Sequence, residues 1–269
     1  MDLSRISGVT FDLWETLFMD DPQLDRRRDQ LRCKGLHDVL LEHGVFVDLE
    51  DLAKGLAESS AWLANTWKTG RQVPTIDQIS YILRFATKES TLDLLSDEKV
   101  VGELEEIYAG AGLITPPKLN VEAVSVLQCL RERGYKIGLI CNTGRGPGRI
   151  LRQLMDNIGI LDYFDATIFS DEVGWGKPDR RIFLVAAAGL GLPLEEILHV
   201  GDNPDTDVRG AEEAGMKAIL FDYEVPVGFR EQPGSLFALT RTSGSVTASE
   251  IGPDSKIRSL NEVLDLLPD

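Results

Sequence analysis

A chain of 269 residues is long enough for one large domain or two small ones, and its 43% hydrophobic and 27% charged residues are ordinary for a globular protein. The formal charge of −16 makes nucleic acid an unfavourable partner, because binding it requires clustered Lys and Arg. The sequence contains no apolar run long enough to span a membrane and no N-terminal pattern of a secretory signal. We therefore expect a cytoplasmic protein that binds neither nucleic acid nor membrane.

The three cysteines, Cys33, Cys129 and Cys141, show no short CxxC spacing. Their odd number and wide spacing argue against a disulfide framework and against a thiolate zinc site. The net negative charge would also repel an anionic ligand at long range. Any anion site must therefore be locally positive, through a metal ion, Lys side chains or helix N-termini.

The predicted elements begin with a short apolar strand over residues 8–12. A long helical region follows over about residues 23–113, where Leu and Trp recur at helical spacing. Gly44, Gly70 and Pro74 help to divide it into four or five predicted helices.

From Pro116 the pattern changes to alternating helices and strands, which indicates a parallel sheet covered by helices on both faces. The predicted helices span about 120–133, 148–158, 180–189, 206–214 and 259–267, and the predicted strands span 135–141, 166–170, 197–201 and 217–221.

We therefore predict an α/β fold in which a Rossmann-like parallel sheet lies between helices. Residues 1–17 and 116–269 are predicted to form this core domain, and residues 18–115 an inserted α-helical cap domain. Within the core, residues 224–255 are rich in Gly, Pro, Ser and Thr and are predicted to form an irregular excursion.

Polar residues mark the carboxyl ends of the predicted strands, where such sheets bind their ligands. Asp12 ends the first strand, and the alternatives for it are nucleophile, metal ligand or helix N-cap. Asp202, Asp205 and Asp207 lie between a strand and a helix, where their charges repel unless a cation is bound. Their hard oxygen atoms suit Mg²⁺, although we expect Asp205 to cap the next helix instead.

Two further segments reach the same predicted rim. Lys177 follows a strand and precedes a helix, so it could neutralise Asp12 together with a bound phosphoryl group. Asn142 and Thr143 follow another strand and precede a glycine-rich turn, whose backbone N–H groups and following helix N-terminus can hold phosphate oxygens.

In this order the segments resemble the haloacid dehalogenase superfamily of phosphohydrolases. The resemblance covers about residues 6–17, 116–223 and the last ten, and the helical region resembles the family's C1 cap. The matching motifs are Asp12-x-x-x-Thr16, a small polar residue at the end of the second strand, Lys177-Pro178 and Gly201-Asp202-x4-Asp207.

The resemblance implies a Mg²⁺-dependent hydrolase that acts on a phosphorylated small molecule. It makes Asp12 the nucleophile that forms an aspartyl-phosphate, stabilised by Lys177. The implied Mg²⁺ ligands are Asp12, the backbone carbonyl of Trp14, Asp202 and Asp207. The candidate phosphate and substrate contacts are Trp14, Thr16, Cys141, Asn142, Thr143 and Arg145.

Two positions depart from the family pattern. Trp14 stands where the phosphatases usually have an Asp general acid, whose help is worth about 10²–10⁴-fold. Its loss should impair alkyl phosphates more than aryl or acyl phosphates, and adjacent Glu15 should point the opposite way. Cys141 stands where Ser or Thr is usual, so either Asn142 and Thr143 compensate or phosphate binding is weaker.

Two alternatives remain open at the level of sequence. The family's dehalogenase branch also has an aromatic residue at the place of Trp14, so 2-haloacid dehalogenation is one of them. In that reaction the Asp attacks carbon without a metal, and the presence of Asp202 and Asp207 favours phosphoryl chemistry instead. The other alternative is a catalytically weak member that binds a metabolite or a partner.

Overall fold

The computed structural model describes residues 2–67, 69, 71–86, 89–223, 236, 239, 250–252 and 255–268. The excursion predicted over 224–255 lies almost entirely outside these residues. Among the helices of the described residues, none combines the length and the apolar character that a membrane crossing requires.

In the described part of the chain, six strands form one parallel sheet in the order β5-β4-β1-β6-β7-β8. Its strands are β1 (Gly8–Phe11), β4 (Lys136–Cys141), β5 (Ala166–Phe169), β6 (Ile197–Gly201), β7 (Lys217–Phe221) and β8 (Lys256–Ile257). The short strands β2 (Phe18–Met19) and β3 (Lys118–Leu119) pair antiparallel beside it.

Helices cover both faces of this sheet, and a separate hydrophobic cluster lies on each face. The covering helices include α5 (Ala123–Glu132), α6 (Gly148–Ile158), α7 (Ser170–Val173), α8 (Arg180–Leu190), α9 (Gly210–Ala214) and α10 (Glu262–Leu266). Because both faces are covered, the two central strands, β1 and β6, are mostly apolar, as sheets of this kind require, and their two polar side chains, Thr10 and His199, are buried and hydrogen-bonded to each other. The predicted parallel α/β fold is therefore confirmed.

The predicted helix over 206–214 differs in the structure. A π-helical turn over Pro204–Arg209 precedes α9, and Asn203 caps it by accepting hydrogen bonds from the backbone N–H groups of Asp205 and Thr206. The prediction that Asp205 caps this helix is therefore wrong. Asn is as good a cap as Asp, and here Asn203 precedes the first turn while the Asp205 carboxylate pairs with Arg209 at 2.7 Å.

Between β2 and β3 the described residues form four long α-helices, which we call the helical insert: α1 (Pro22–Glu42), α2 (Leu49–Trp67), α3 (Thr75–Ala86) and α4 (Glu98–Ile114). A hydrophobic cluster of its own holds these helices together. The buried Arg28 pairs with Asp20, where the chain enters the insert, and donates to the carbonyl of Thr115, where the chain leaves it, at 3.2 Å. Arg28 therefore links the two segments that connect the insert to the rest of the chain.

Candidate active site

The structure brings Asp12, Lys177 and Asp207 together at the carboxyl end of the sheet. Lys177 Nζ lies 2.6 Å from Asp12 Oδ1 and 2.6 Å from Asp207 Oδ1. All three side chains are buried, with 7%, 5% and 2% of Asp12, Lys177 and Asp207 exposed. Because β1 lies between β4 and β6, the segments that follow these strands converge at one point of the rim.

Asn142 fixes the backbone of Lys177. Its Oδ1 accepts a hydrogen bond from the backbone N–H of Lys177 at 2.7 Å, and its Nδ2 donates to the Lys177 carbonyl at 2.9 Å. A Cβ at Gly176 would lie 2.9 Å from Asn142 Oδ1, so glycine is what allows the two loops to approach this closely.

Asp207 is held by groups from β6 and the loop after it. His199 Nε2 lies 3.2 Å from Asp207 Oδ1, and the backbone N–H of Asn203 donates to Oδ2 at 2.9 Å. Burial lowers the pKa of His199 and keeps the ring neutral, so Nε2–H donates to Asp207 while Nδ1 accepts from the Thr10 hydroxyl at 2.9 Å. A Cβ at Gly201 would lie 2.4 Å from Asp207 Cγ, which explains the glycine there.

Burial and mutual attraction shift the ionisation of these groups in different directions. Burial, together with the charge of Asp207, raises the pKa of Asp12 to about 7 against the opposing effect of Lys177. Burial alone would lower the pKa of Lys177, but Asp12 and Asp207 raise it above its ordinary value. The pKa of Asp207 would rise on burial, yet Lys177 and His199 hold it below its ordinary value. Asp207 is thus the permanent partner of Lys177, whereas Asp12 responds to whatever binds beside it.

Asp12, Asp202 and Asp207 could also hold a metal ion. Each offers a carboxylate oxygen, and these three atoms lie within 4.8 Å of one another. When all three are ionised, three negative charges and the one positive charge of Lys177 leave a net charge of −2. Hard oxygen donors with this net charge fit a divalent cation such as Mg²⁺.

A hydrogen-bonded chain links the loop after β4 to the helical insert. The backbone N–H of Thr143 donates to Ser170 Oγ at 2.8 Å, and the Ser170 hydroxyl donates to Gln72 Oε1 at 2.9 Å. Thr143 Oγ1 lies 3.0 Å from the same Ser170 oxygen. The sequence assigned no role to Ser170 or to Gln72, since a single Gln between two helices carries no motif.

Trp14, Asn142, Thr143 and Arg145 line a cavity of about 430 Å³ that also contains Asp12, Lys177, Asp202 and Asp207. The structure does not bring Thr16 and Cys141 to this wall. Both are fully buried; the Thr16 hydroxyl has no hydrogen-bond partner among the described residues, and Cys141 Sγ contacts the Asn142 carbonyl at 3.5 Å.

Arg145 is bound to the insert. Its Nη1 donates to Ser59 Oγ at 3.0 Å and to the Tyr108 hydroxyl at 2.6 Å. Its Nη2 donates to the Leu56 carbonyl at 3.1 Å and to Ser60 Oγ at 2.7 Å. These bonds use all four terminal N–H groups, so Arg145 joins the loop after β4 to the insert rather than presenting those groups to a substrate, as the sequence had suggested.

Comparison with known proteins agrees with the family resemblance of the sequence motifs. The family model described as haloacid dehalogenase-like hydrolase matches residues 6–215. The pyrimidine 5'-nucleotidase YjjG of Escherichia coli is 34% identical over 84% of this chain and 88% of that protein.

Other similarities are partial or more distant. A phosphoserine phosphatase of Thermus thermophilus is 40% identical over 39% of this chain, and the match spans only 41% of that protein's length. The crystal structure of a 2-haloacid dehalogenase from Pseudomonas syringae superposes with a TM-score of 0.62 over 97% of both chains, at 21% identity. At that identity the superposition supports the shared fold alone.

Proposed function

Because this chain belongs to the haloacid dehalogenase-like hydrolases, we propose that it is a Mg²⁺-dependent phosphohydrolase that transfers the phosphoryl group of a small molecule to Asp12. The observation that carries the proposal is the buried contact of Lys177 Nζ with Asp12 Oδ1 and Asp207 Oδ1, each at 2.6 Å. The relatives described as a phosphoserine phosphatase and a pyrimidine 5'-nucleotidase support phosphate esters as the substrate class.

Asp12 acts as the nucleophile. Its carboxylate oxygen forms a bond to phosphorus while the bond from phosphorus to the leaving oxygen breaks, and the electron pair of that bond leaves with the oxygen. Water then attacks phosphorus, the bond from phosphorus to the Asp12 oxygen breaks, and inorganic phosphate leaves as the carboxylate is regenerated. Lys177 favours the ionised form of Asp12 and orients it, and its ammonium group faces the negative charge that the phosphoryl group brings.

The neighbouring residues have distinct roles in this proposal. Asn142 positions Lys177, because both ends of its amide are bound to the Lys177 backbone. Thr143 lines the same cavity, where it would lie beside a bound phosphoryl group. We assign residues 18–115 as a cap over the core of residues 1–17 and 116–269, because Arg145 and Gln72 join the two across the cavity.

Mg²⁺ would be held by Asp12, Asp202 and Asp207 together with the backbone carbonyl of Trp14. When bound, it supplies positive charge that neutralises phosphoryl oxygens. The net charge of −2 around the three carboxylates supports this assignment.

Hydrolysis of 4-nitrophenyl phosphate and acetyl phosphate, measured with Mg²⁺ and with EDTA, tests the proposal. We expect EDTA and Asp12→Asn each to abolish phosphate release, because one removes the cation and the other the nucleophile. Asp156→Asn is the matched control, since Asp156 is exposed on α6 and should leave the rate unchanged. Turnover that survives both EDTA and Asp12→Asn would refute the proposal. Metal-independent halide release from 2-chloropropionate would favour dehalogenation instead.

A further inference from the structure

Gln72 lies on the segment between α2 and α3, and the structure brings it into the wall of the cavity that contains Lys177. An isolated antiparallel bridge pairs the adjacent Arg71 with Trp175, two residues before Lys177. A Cβ at Gly176 would lie only 2.8 Å from Gln72 Nε2, so glycine allows this close approach. A side chain of the insert therefore lies against the loop that carries the lysine of the site.

Gln78 holds the same segment in place. Its Nε2 donates to the Val73 carbonyl at 3.1 Å and to the Gly144 carbonyl at 3.4 Å, so it joins the insert to the loop after β4. Its Oε1 accepts from the Tyr108 hydroxyl at 3.1 Å, and only 2% of Gln78 is exposed. The position of this backbone therefore does not depend on the side-chain amide of Gln72.

The two ends of the Gln72 amide have different surroundings. Oε1 accepts from the Ser170 hydroxyl at 2.9 Å, and the Ser170 oxygen in turn accepts from the Thr143 backbone N–H at 2.8 Å. Nε2 lies on the side of Asn142 Oδ1, because both atoms are within 2.9 Å of the Cβ position at Gly176. That oxygen attracts an amide nitrogen and would repel an amide oxygen, which supports this orientation. In the described part of the chain Nε2 forms no hydrogen bond, so its two N–H groups are available to a ligand.

Several of the donors that the sequence suggested for phosphate oxygens are bonded within the protein. They are the Asn142 side-chain amide, the Thr143 backbone N–H and the terminal N–H groups of Arg145. The N-terminus of α6 is also occupied, since the Gly148 N–H donates to both carboxylate oxygens of Asp171 at 3.1 Å. On this side of the cavity, Gln72 Nε2 is a donor whose hydrogen atoms remain available.

From this arrangement we infer that Gln72 is a substrate-binding residue whose Nε2 donates to an oxygen of the phosphoryl group that Asp12 attacks. The inference rests on the proposed function and adds a residue of the insert to the site. Asp12 and Lys177 fix where the phosphoryl group lies, and Nε2 reaches the residue directly before Lys177. Because Ser170 holds the other end of the amide, the N–H groups are oriented before the substrate binds. A hydrogen bond from such a donor to an anionic oxygen strengthens binding by about 10–10²-fold.

Gln72→Met removes the N–H groups and keeps the length and the neutral charge of the side chain. We expect the inhibition constant of inorganic phosphate, measured with Mg²⁺ against 4-nitrophenyl phosphate, to rise about tenfold or more. The ratio kcat/KM should fall by a similar factor for 4-nitrophenyl phosphate and acetyl phosphate, because these substrates share only the phosphoryl group.

Two results of that experiment would overturn the inference. One is an unchanged inhibition constant for inorganic phosphate. The other is a loss of kcat/KM confined to one substrate, which would place the contact on its leaving group. In both cases turnover by the wild type would still support the proposed function. If the wild type hydrolyses no phosphate, both fail.

Gln72→Glu separates donation to phosphate from support of Ser170. The carboxylate keeps an oxygen that accepts from Ser170, but it has a second oxygen in place of the donor. We expect it to weaken phosphate binding at least as much as Gln72→Met does. If Gln72 acts only through Ser170 and Thr143, Gln72→Met should weaken phosphate binding and Gln72→Glu should not. If Gln72→Glu alone weakens it, charge repulsion is the cause, and either result would contradict the inference.

Gln153→Glu is the matched control for charge. Gln153 is exposed on α6 and does not line the cavity, so the same added charge should leave inhibition by phosphate unchanged. An equal effect of Gln153→Glu would mean that net charge, and not the Gln72 amide, sets the affinity for phosphate.

Thermal unfolding in Mg²⁺, with and without inorganic phosphate, gives a readout that needs no turnover. A ligand that binds the folded state raises Tm more when its dissociation constant is lower. At one phosphate concentration, the rise in Tm should therefore be smaller for Gln72→Met than for the wild type, and equal rises would refute the inference. Unfolding without phosphate shows whether the variant folds. If Gln72→Met does not fold, Gln72→Asn, which shortens the amide by one methylene, should show the same loss.

Discussion

Two buried cations lie on neighbouring loops of this protein and are balanced in different ways. Lys177 and Arg145 are only 5% and 6% exposed. Lys177 lies between the carboxylates of Asp12 and Asp207, at 2.6 Å from each. Arg145 has four hydrogen bonds to hydroxyl and carbonyl oxygens of the insert, and the described residues give it no salt bridge.

The difference separates a reactive site from a structural joint. A buried charge loses its hydration, and either opposite charges or hydrogen-bonding dipoles must replace it. The carboxylates around Lys177 can exchange part of their attraction to it for a bound cation or phosphoryl group. The dipoles around Arg145 are fixed in α2 and α4, so they hold the charge and fasten the insert to the loop after β4.

The largest expected effect comes from Lys177→Met. Activity should fall by about 10²–10³-fold, because the charge beside the phosphoryl group is lost. The free energy of unfolding should fall by about 3–5 kcal/mol, since Asp12 and Asp207 remain buried without their partner. Mg²⁺ should stabilise this variant more than the wild type, because it restores positive charge between the carboxylates. Denaturant unfolding with and without Mg²⁺ measures both effects.

Lys118→Met is the control for that experiment. The Lys118 side chain is 71% exposed and lies 3.6 Å from Asp21, so its loss should change stability by less than about 1 kcal/mol. If Mg²⁺ stabilises Lys177→Met no more than it stabilises the wild type, Asp12, Asp202 and Asp207 do not bind the cation beside Lys177.

Arg145→Met should have a smaller effect of another kind. We expect the free energy of unfolding to fall by about 1–3 kcal/mol, because buried oxygens of the insert lose their donors. KM should rise while kcat changes less, since Asp12, Lys177 and Asp207 remain in place and only the closure over them is weakened. Faster amide hydrogen exchange in α2 and α4 would report the loosened insert directly.

Arg149→Met is the matched control, because Arg149 lies four residues further along the same segment. Its ion pair with Glu106, at 2.7 Å, is at the surface, with the two side chains 49% and 65% exposed. Such pairs contribute about 0–1 kcal/mol. If Arg149→Met loosens the insert as much as Arg145→Met does, the joint is not specific to the buried guanidinium.

The residues that meet around Lys177 could be predicted from the sequence, whereas the contacts of Arg145 with the insert could not. Asp12, Lys177 and Asp202 each follow or precede a recognisable element of the sheet, and parallel strands bring their ends together by geometry. The contacts of Arg145 with Leu56 and Ser59 span 89 and 86 residues, and they depend on how the insert packs on the core. No local pattern encodes that packing, so a flanking arginine looked like a substrate contact.

The smallest expected effect is that of removing the Tyr108 hydroxyl. It tests whether the hydroxyl and carbonyl groups around Arg145 stabilise its charge cooperatively. The Tyr108 hydroxyl accepts from Arg145 Nη1 at 2.6 Å and donates to Gln78 Oε1 at 3.1 Å, while its ring is fully buried. Tyr108→Phe keeps the ring and should lower the free energy of unfolding by about 1–2 kcal/mol. In the background of Arg145→Met the same change should cost less, because its main partner is gone, and a double-mutant cycle measures that difference.

Tyr81→Phe is the reference for that cycle, since Tyr81 stacks on Trp62 with ring centroids 4.3 Å apart and the ring survives the substitution. We expect it to add to Arg145→Met within about 0.5 kcal/mol. If Tyr108→Phe is equally additive, its hydroxyl does not help to hold the charge. Burial lowers the pKa of Arg145, and Tyr108, Asp29 and Asp25 raise it. If the Tyr108 hydroxyl does not help, the carboxylates of Asp29 and Asp25 would balance the Arg145 charge, and both buried cations would then be balanced by carboxylates.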